Sequence, residues 1–272
     1  MTYDARETSA DLGAPTEIYE FTRGVYRVRL ASGDRDIVYL GQTFARTAIS
    51  RTSVESSVEA SRAGITITMP RIVEVADWHR VAAPADVITV SVLQRHIGDP
   101  DAEFAVVWQG RIVSVDFAGA IASVTCESVY TSIRRPGLRR AYQRTCPHVL
   151  YKGECKVVDA SFQTIATVAS VSGLVVSATI FGTLPAGYLS GGYLQMAKPD
   201  GQVERRSITN HAGEAITLSQ IASGLSMGST VIVFPGCDHT LATCASKFAN
   251  ALNFGGMPYI PSKNPFDGSP VY

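Results

Sequence analysis

The chain has 272 residues, 46% of them apolar and 18% charged, enough to bury one large core or two modest ones. Its 24 basic side chains balance 24 acidic ones, so no net field draws it to DNA, RNA or an anionic membrane. No stretch approaches the roughly 18 uninterrupted apolar residues of a membrane span, and the polar, acidic opening MTYDARETSADLGAPTE is unlike a secretory leader.

Residues 1–14, rich in Ser, Thr, Asp and Ala, have the composition of a flexible tail. A β domain is predicted over 15–130. It opens on EIYEFTRGVYRVRLAS, read as an alternating run that ends in a turn at Ser32-Gly33-Asp34 before DIVYLGQTF makes a hairpin of it. The Ser, Thr and Val of AISRTSVESSVEASRAG favour extended chain over helix, and ITITMP is a strand stopped by Pro70. DVITVSVLQRH, EFAVVWQGRIVSVDF with a turn at Gln109-Gly110, and AIASVTCESV complete an antiparallel run.

A basic connector spans 131–157. In SIRRPGLRRAYQRTCPH, Arg134, Arg135, Arg139, Arg140 and Arg144 crowd around Pro136-Gly137; the stretch reads either as a solvated connection or as an inter-subunit contact surface. A second β module follows over 158–236, with turns at Pro199-Asp200-Gly201 and His211-Ala212-Gly213. Residues 237–272 hold the one clear helix, with Asp238 as N-cap, Leu241, Cys244, Phe248 and Leu252 on one side and Gly255-Gly256 as its end, then an irregular Pro-rich tail. The expected fold class is mainly β: two barrel- or sandwich-like modules, a short C-terminal helix and a four-cysteine metal-cluster site.

Without an oxidising compartment, cysteines read as metal-site or incidental residues before they read as disulfides. Five are present, an odd number. Cys146 and Cys155 lie just before the second module, Cys237 and Cys244 just after it. If the module's first and last strands are neighbours, its flanking segments meet and the four thiols converge. Were Cys237 and Cys244 both on helix, they would sit about 10 Å apart at about 1.5 Å rise per residue, beyond the roughly 7 Å reach of a disulfide. Such spread suits an iron-sulfur cube better than one tetrahedral ion, and no tight C-x2-C is present. Spacing alone leaves iron-sulfur, zinc, and reduced or disulfide-paired structural cysteines open. The helix start, Arg144 and Lys152 are expected to offset the charge of an anionic cluster. His148 and His239 are alternative ligands, and Cys126, alone in an alternating strand, reads as a small buried apolar residue.

No G-x-S-x-G, H-E-x-x-H or phosphate-binding glycine loop occurs. Cys146 and His148, two apart in a Pro-containing turn, are poorly placed as a nucleophile pair. A non-enzyme is expected, with a zinc-stapled binding module or a thiol or redox enzyme as alternatives.

Three segments, EIYEFTRGVYRVRLASGDRDIVYLGQTF with AISRTSVE, LRRAYQRTCPHVLYKGEC, and FPGCDHTLATCASKFANALNFGGMPYIP, resemble the phage tail-tip hub proteins, the family of the minor tail protein L of lambda and of the gene transfer agent hub. The resemblance implies a virion protein, assembled in the host cytoplasm, that forms a homotrimeric ring between the tail tube or distal tail protein and the tip or receptor-binding proteins. It also implies a [4Fe-4S] cluster on Cys146, Cys155, Cys237 and Cys244, serving mainly as a staple.

Overall fold

A computed structural model describes residues 3–9, 11, 13–55, 63–100, 104–134, 137, 140–198 and 201–261. The chain forms two compact units, Met1–Pro136 and Gly137–Tyr272, so the basic connector is divided between them and both cysteine pairs fall in the second. Arg135 and Arg139, the middle of the AISRTSVESSVEASRAG segment, Pro199-Asp200 and the end of the C-terminal tail lie outside the described residues.

The first unit carries α1 (Tyr3–Glu7), β1 (Pro15–Arg23), β2 (Tyr26–Ala31), β3 (Ile37–Tyr39), β4 (Gln42–Arg46), β5 (Ser50–Arg51), β6 (Ile65–Pro70), α2 (Glu74–Asp77), β7 (Ile88–His96), β8 (Ala105–Ala118) and β9 (Ile121–Ser128). The strands form one sheet in the order β3-β4-β2-β1-β7-β8-β9-β6-β5. Alternation along them turns Tyr19, Phe21, Ile67, Val90, Val92, Trp108 and Val124 into one core. Cys126 belongs to that core, with its thiol pushed up to about 12 by burial.

Three expectations for this unit are corrected. EIYEFTRGVYRVRLAS is itself a hairpin: Arg23 pairs with Tyr26 across Gly24-Val25, and Gly24 takes the φ of +59° that the tight turn needs. Gln109-Gly110 is no turn but the interior of β8. Glycine is required at 110 because a Cβ there would fall on the Glu127 carbonyl and the Trp108 ring. The expected loose tail folds into α1, where Arg6 donates to the carbonyls of Ile97 and Gly98 and Glu7 meets the buried His96 at 2.7 Å.

The second unit carries β10 (Thr164–Thr167), β11 (Ser170–Ser172), β12 (Val175–Ser177), β13 (Tyr193–Ala197), β14 (Val203–Ala212), β15 (Ala215–Leu218), β16 (Thr230–Phe234) and α3 (Leu241–Phe248). Its strands run in the order β10-β16-β13-β14-β15-β12-β11 over a core that includes Val176, Phe181, Leu189, Leu194, Ile208, Ile216 and Val233. The first and last strands in sequence are neighbours, antiparallel, with Thr164 opposite Val233. The chain therefore enters and leaves this sheet at one end. Among the described residues no helix is long and apolar enough to cross a membrane.

Candidate functional site

The pairing of β10 with β16 brings the segment before Thr164 alongside the segment after Phe234. Between them lies a second small core of Cys155, Val157 and Phe248, with Leu150, Tyr151, Phe162 and Cys237 packed against it. Tyr151 ties the segments together: its hydroxyl donates to the Pro235 carbonyl at 2.7 Å, and its ring stands edge-on to Tyr193, Phe234 and Phe248. The Cys146 N–H donates to the His239 carbonyl at 2.9 Å, a further stitch between the two flanks.

Cys146, Cys155, Cys237 and Cys244 all line one cavity, together with His148, His239 and Phe248. It is tight, with a cavity volume of about 10 Å³. All four cysteines are free of disulfides. Among the described residues no three His, Cys, Asp or Glu side chains are grouped tightly enough to grip a single metal ion.

Three of the four sulfurs accept N–H groups. Gly255 N–H points at the Cys146 sulfur at 3.4 Å, His239 N–H at the Cys237 sulfur at 3.3 Å, and the Asn250 side-chain amide at the Cys155 sulfur at 3.8 Å. As a thiol, Cys244 instead donates to the Asn250 carbonyl at 3.3 Å. Burial pushes the Cys244 thiol up, and the Cys237, Cys146 and Cys155 thiols push it further. Cys237 is likewise raised, first by burial and, among lesser causes, by Cys155 and Cys146, although the His239 N–H draws it down. Thiolates that share one cavity repel one another, and positive charge among them would offset that repulsion.

The helix differs from its sequence reading. Its N-cap is Thr240, whose side chain accepts the Thr243 N–H. Asp238 sits one layer out and accepts from Thr240 and Thr243. Burial works against ionisation of Asp238, but those hydrogen bonds outweigh it and hold the carboxyl below its usual range. The helix stops at Phe248 because Ala249 turns left-handed, φ +49°, so Leu252 lies beyond it and is fully exposed. Cys237 precedes α3, so helical rise does not set its distance from Cys244. Gly255 and Gly256 end no helix; they let the chain pass against the His148 ring and the Arg144–Thr145 backbone, where a Cβ would collide.

His148 is buried, with Nδ1 3.1 Å from the Asn253 carbonyl and Nε2 3.2 Å from Arg140. Neither Arg144 nor Lys152 lines the cavity. Lys247 does not line it either, but its ammonium donates to the Gly236 carbonyl just before Cys237, and the Asn250 amide donates to the Cys155 carbonyl at 2.5 Å; neither residue is among those expected from the sequence. Periodicity gave no signal for either, since both act through backbone carbonyls of distant segments.

Glycine at 236 is a steric requirement, because a Cβ would fall on the backbone of Ser190, Gly191 and Gly192. Gly236→Ala is expected to displace the Cys237 loop and cost about 2–3 kcal/mol, measured as a lowered urea midpoint. An unchanged midpoint would show that the crossing has room to spare.

Over residues 17–158 the sequence matches the family described as baseplate hub protein, N-terminal attachment domain. Over 187–264 it matches the family described as phage conserved hypothetical protein BR0599. An uncharacterized protein of Xylella fastidiosa (strain 9a5c) is 30% identical over 165 residues, which cover 56% of this chain and 34% of that protein. The chain thus spans about a third of that relative's length. A chain from the virion of a native gene transfer agent particle superposes with a TM-score of 0.78 at 19% identity, over 100% of this chain and 99% of that one; the two share a fold.

Proposed function

The chain belongs to the baseplate hub protein family of phages, a family of structural virion proteins, and from that premise we propose that it is a tail-tip hub stapled by a [4Fe-4S] cluster on Cys146, Cys155, Cys237 and Cys244. The observation that carries the reading is the convergence of these four thiols, drawn from both flanks of one sheet, on a single cavity.

The residues fit such a group. Four sulfurs lining one cavity, two from each flank of the sheet, are the number of thiolates that a cube takes. N–H groups directed at three of the sulfurs are the donors that stabilise charge on ligating sulfur. When bound, the cluster supplies four metal-thiolate bonds that cross-link the chain before β10 to the chain after β16. Tyr151 and Asn250 hold the two flanks in register, and Phe248 and Val157 keep the wall apolar. The whole second sheet lies in sequence between Cys155 and Cys237, so closing that long loop removes much conformational freedom from the unfolded chain.

In the virion the hub joins the tail tube or distal tail protein to tip or receptor-binding proteins as a closed homotrimer. Two measurements test the proposal. Chain purified without oxygen is expected to carry about four irons and matching sulfide; stoichiometric zinc without iron would replace the cluster by a zinc staple. Cryo-EM of assembled tails is expected to show three copies in a ring, and a single copy there would overturn the trimer.

A further inference from the structure

Lys247 lies on the last turn of α3. Its ammonium donates to the carbonyls of Tyr188 at 2.6 Å and Gly236 at 2.7 Å. It also stands 4.3 Å from the centre of the Tyr188 ring and 5.5 Å from that of Phe248. Among the described residues no carboxylate lies within ion-pair distance of it. A lysine at this position ordinarily lies against its own helix's last carbonyls. Here both acceptors belong to other segments, and one of them is the residue that leads directly into Cys237.

An ammonium that exchanges water for neutral carbonyls and ring faces keeps its full charge in a poorly solvated place, which is costly unless anions stand close. Burial depresses the Lys247 pKa, and the two groups that act against that depression are Cys237 and Asp238. Asp238 is committed to Thr240 and Thr243. Those partners are neutral, so Asp238 remains one anion acting on this cation; the other lies on the cysteine side of the cavity, to which Lys247 is tied through the Gly236 carbonyl one residue before Cys237.

We propose that Lys247 is the counter-cation and positioning residue of the four-cysteine centre: it fixes the Gly236–Cys237 peptide and offsets the negative charge that four thiolates bring to a bound cluster. The inference rests on the iron-sulfur reading above. Reducing such a centre adds one more negative charge, so a fixed cation nearby favours the reduced form.

The test uses the full chain purified without oxygen, as wild type, Lys247→Arg and Lys247→Gln. Iron per chain, the midpoint potential from an optical redox titration and the thermal melt are read for each. Lys247→Arg keeps charge and donors and is expected to match wild type. Lys247→Gln keeps a donor without charge; it is expected to retain iron and to move the midpoint to more negative values by a tenfold change in the oxidised-to-reduced ratio, about 59 mV for one electron. Should the glutamine variant not fold, Lys247→Met, which keeps the aliphatic stem over Tyr188, gives the same reading. An unmoved potential in an iron-loaded neutral variant, or an equal shift in the arginine variant, would overturn the role of the charge and leave the cluster standing. Wild-type chain without iron would overturn both.

Discussion

Replacing Cys244 by serine is expected to strip most of the iron from the chain, while the same replacement at Cys126 leaves iron content unchanged. Cys244 lines the cavity with the other three thiols and feels all of them. A serine hydroxyl is a poor ligand for iron in a sulfur-bound centre. Cys126 is in the first unit, in the middle of β9, packed in an apolar core with its thiol on the Val124 carbonyl at 3.8 Å. Cys126→Ser therefore buries a hydroxyl with one weak acceptor, at a cost of about 1–3 kcal/mol, and stability falls without any loss of metal. Iron per chain and the urea midpoint, measured together, separate the two positions. Equal iron loss at both would mean that the four ligands are wrongly chosen.

That the four cysteines share one cavity is legible in the sequence because the reason is topological. Cysteines bracketing a β module converge only if the module's end strands meet, and β10 does pair with β16. Alternation placed most strands, and it located Cys126 in the core of the first. What sequence could not show are contacts made through backbone. Gly110 looked like a turn until the Trp108 ring and the Glu127 carbonyl explained why no side chain fits there. Gly24 marks a turn inside a run whose alternation continues unbroken through it. Asp238 and Thr240 are both good caps by residue type, and the choice between them depends on which side chain reaches the Thr243 N–H. The polar residues at 3–7 looked loose because their partners, His96 and the Gly98 carbonyl, lie far along the chain. Lys247 and Asn250 escaped notice for the same reason.

Glu204→Ala is expected to destabilise the second unit by about 3–5 kcal/mol, read as a lowered midpoint of urea unfolding. Glu204 is wholly buried on the inward face of β14, 2.6 Å from Arg206 and 2.8 Å from Lys198. Arg206 is itself only 4% exposed and donates to the carbonyls of Ile221 and Arg205. Without Glu204 its charge stays buried against neutral acceptors alone. Arg206→Met is expected to cost less, because Glu204 keeps Lys198, which reaches solvent. The double replacement Glu204→Met with Arg206→Met leaves no buried charge in the pair and is expected to recover most of the loss. Simple addition of the two single effects would show that the pair is uncoupled, and an unchanged midpoint in Glu204→Ala would show that water reaches the site. The pair bears on the cysteines as well. β14 pairs with β13, β13 pairs with β16, and β16 runs straight into Pro235-Gly236-Cys237. Loosening the buried charges should thus loosen the strand that delivers Cys237, and iron release on heating is expected to follow the same order: fastest in Glu204→Ala, slower in Arg206→Met, and close to wild type in the double variant.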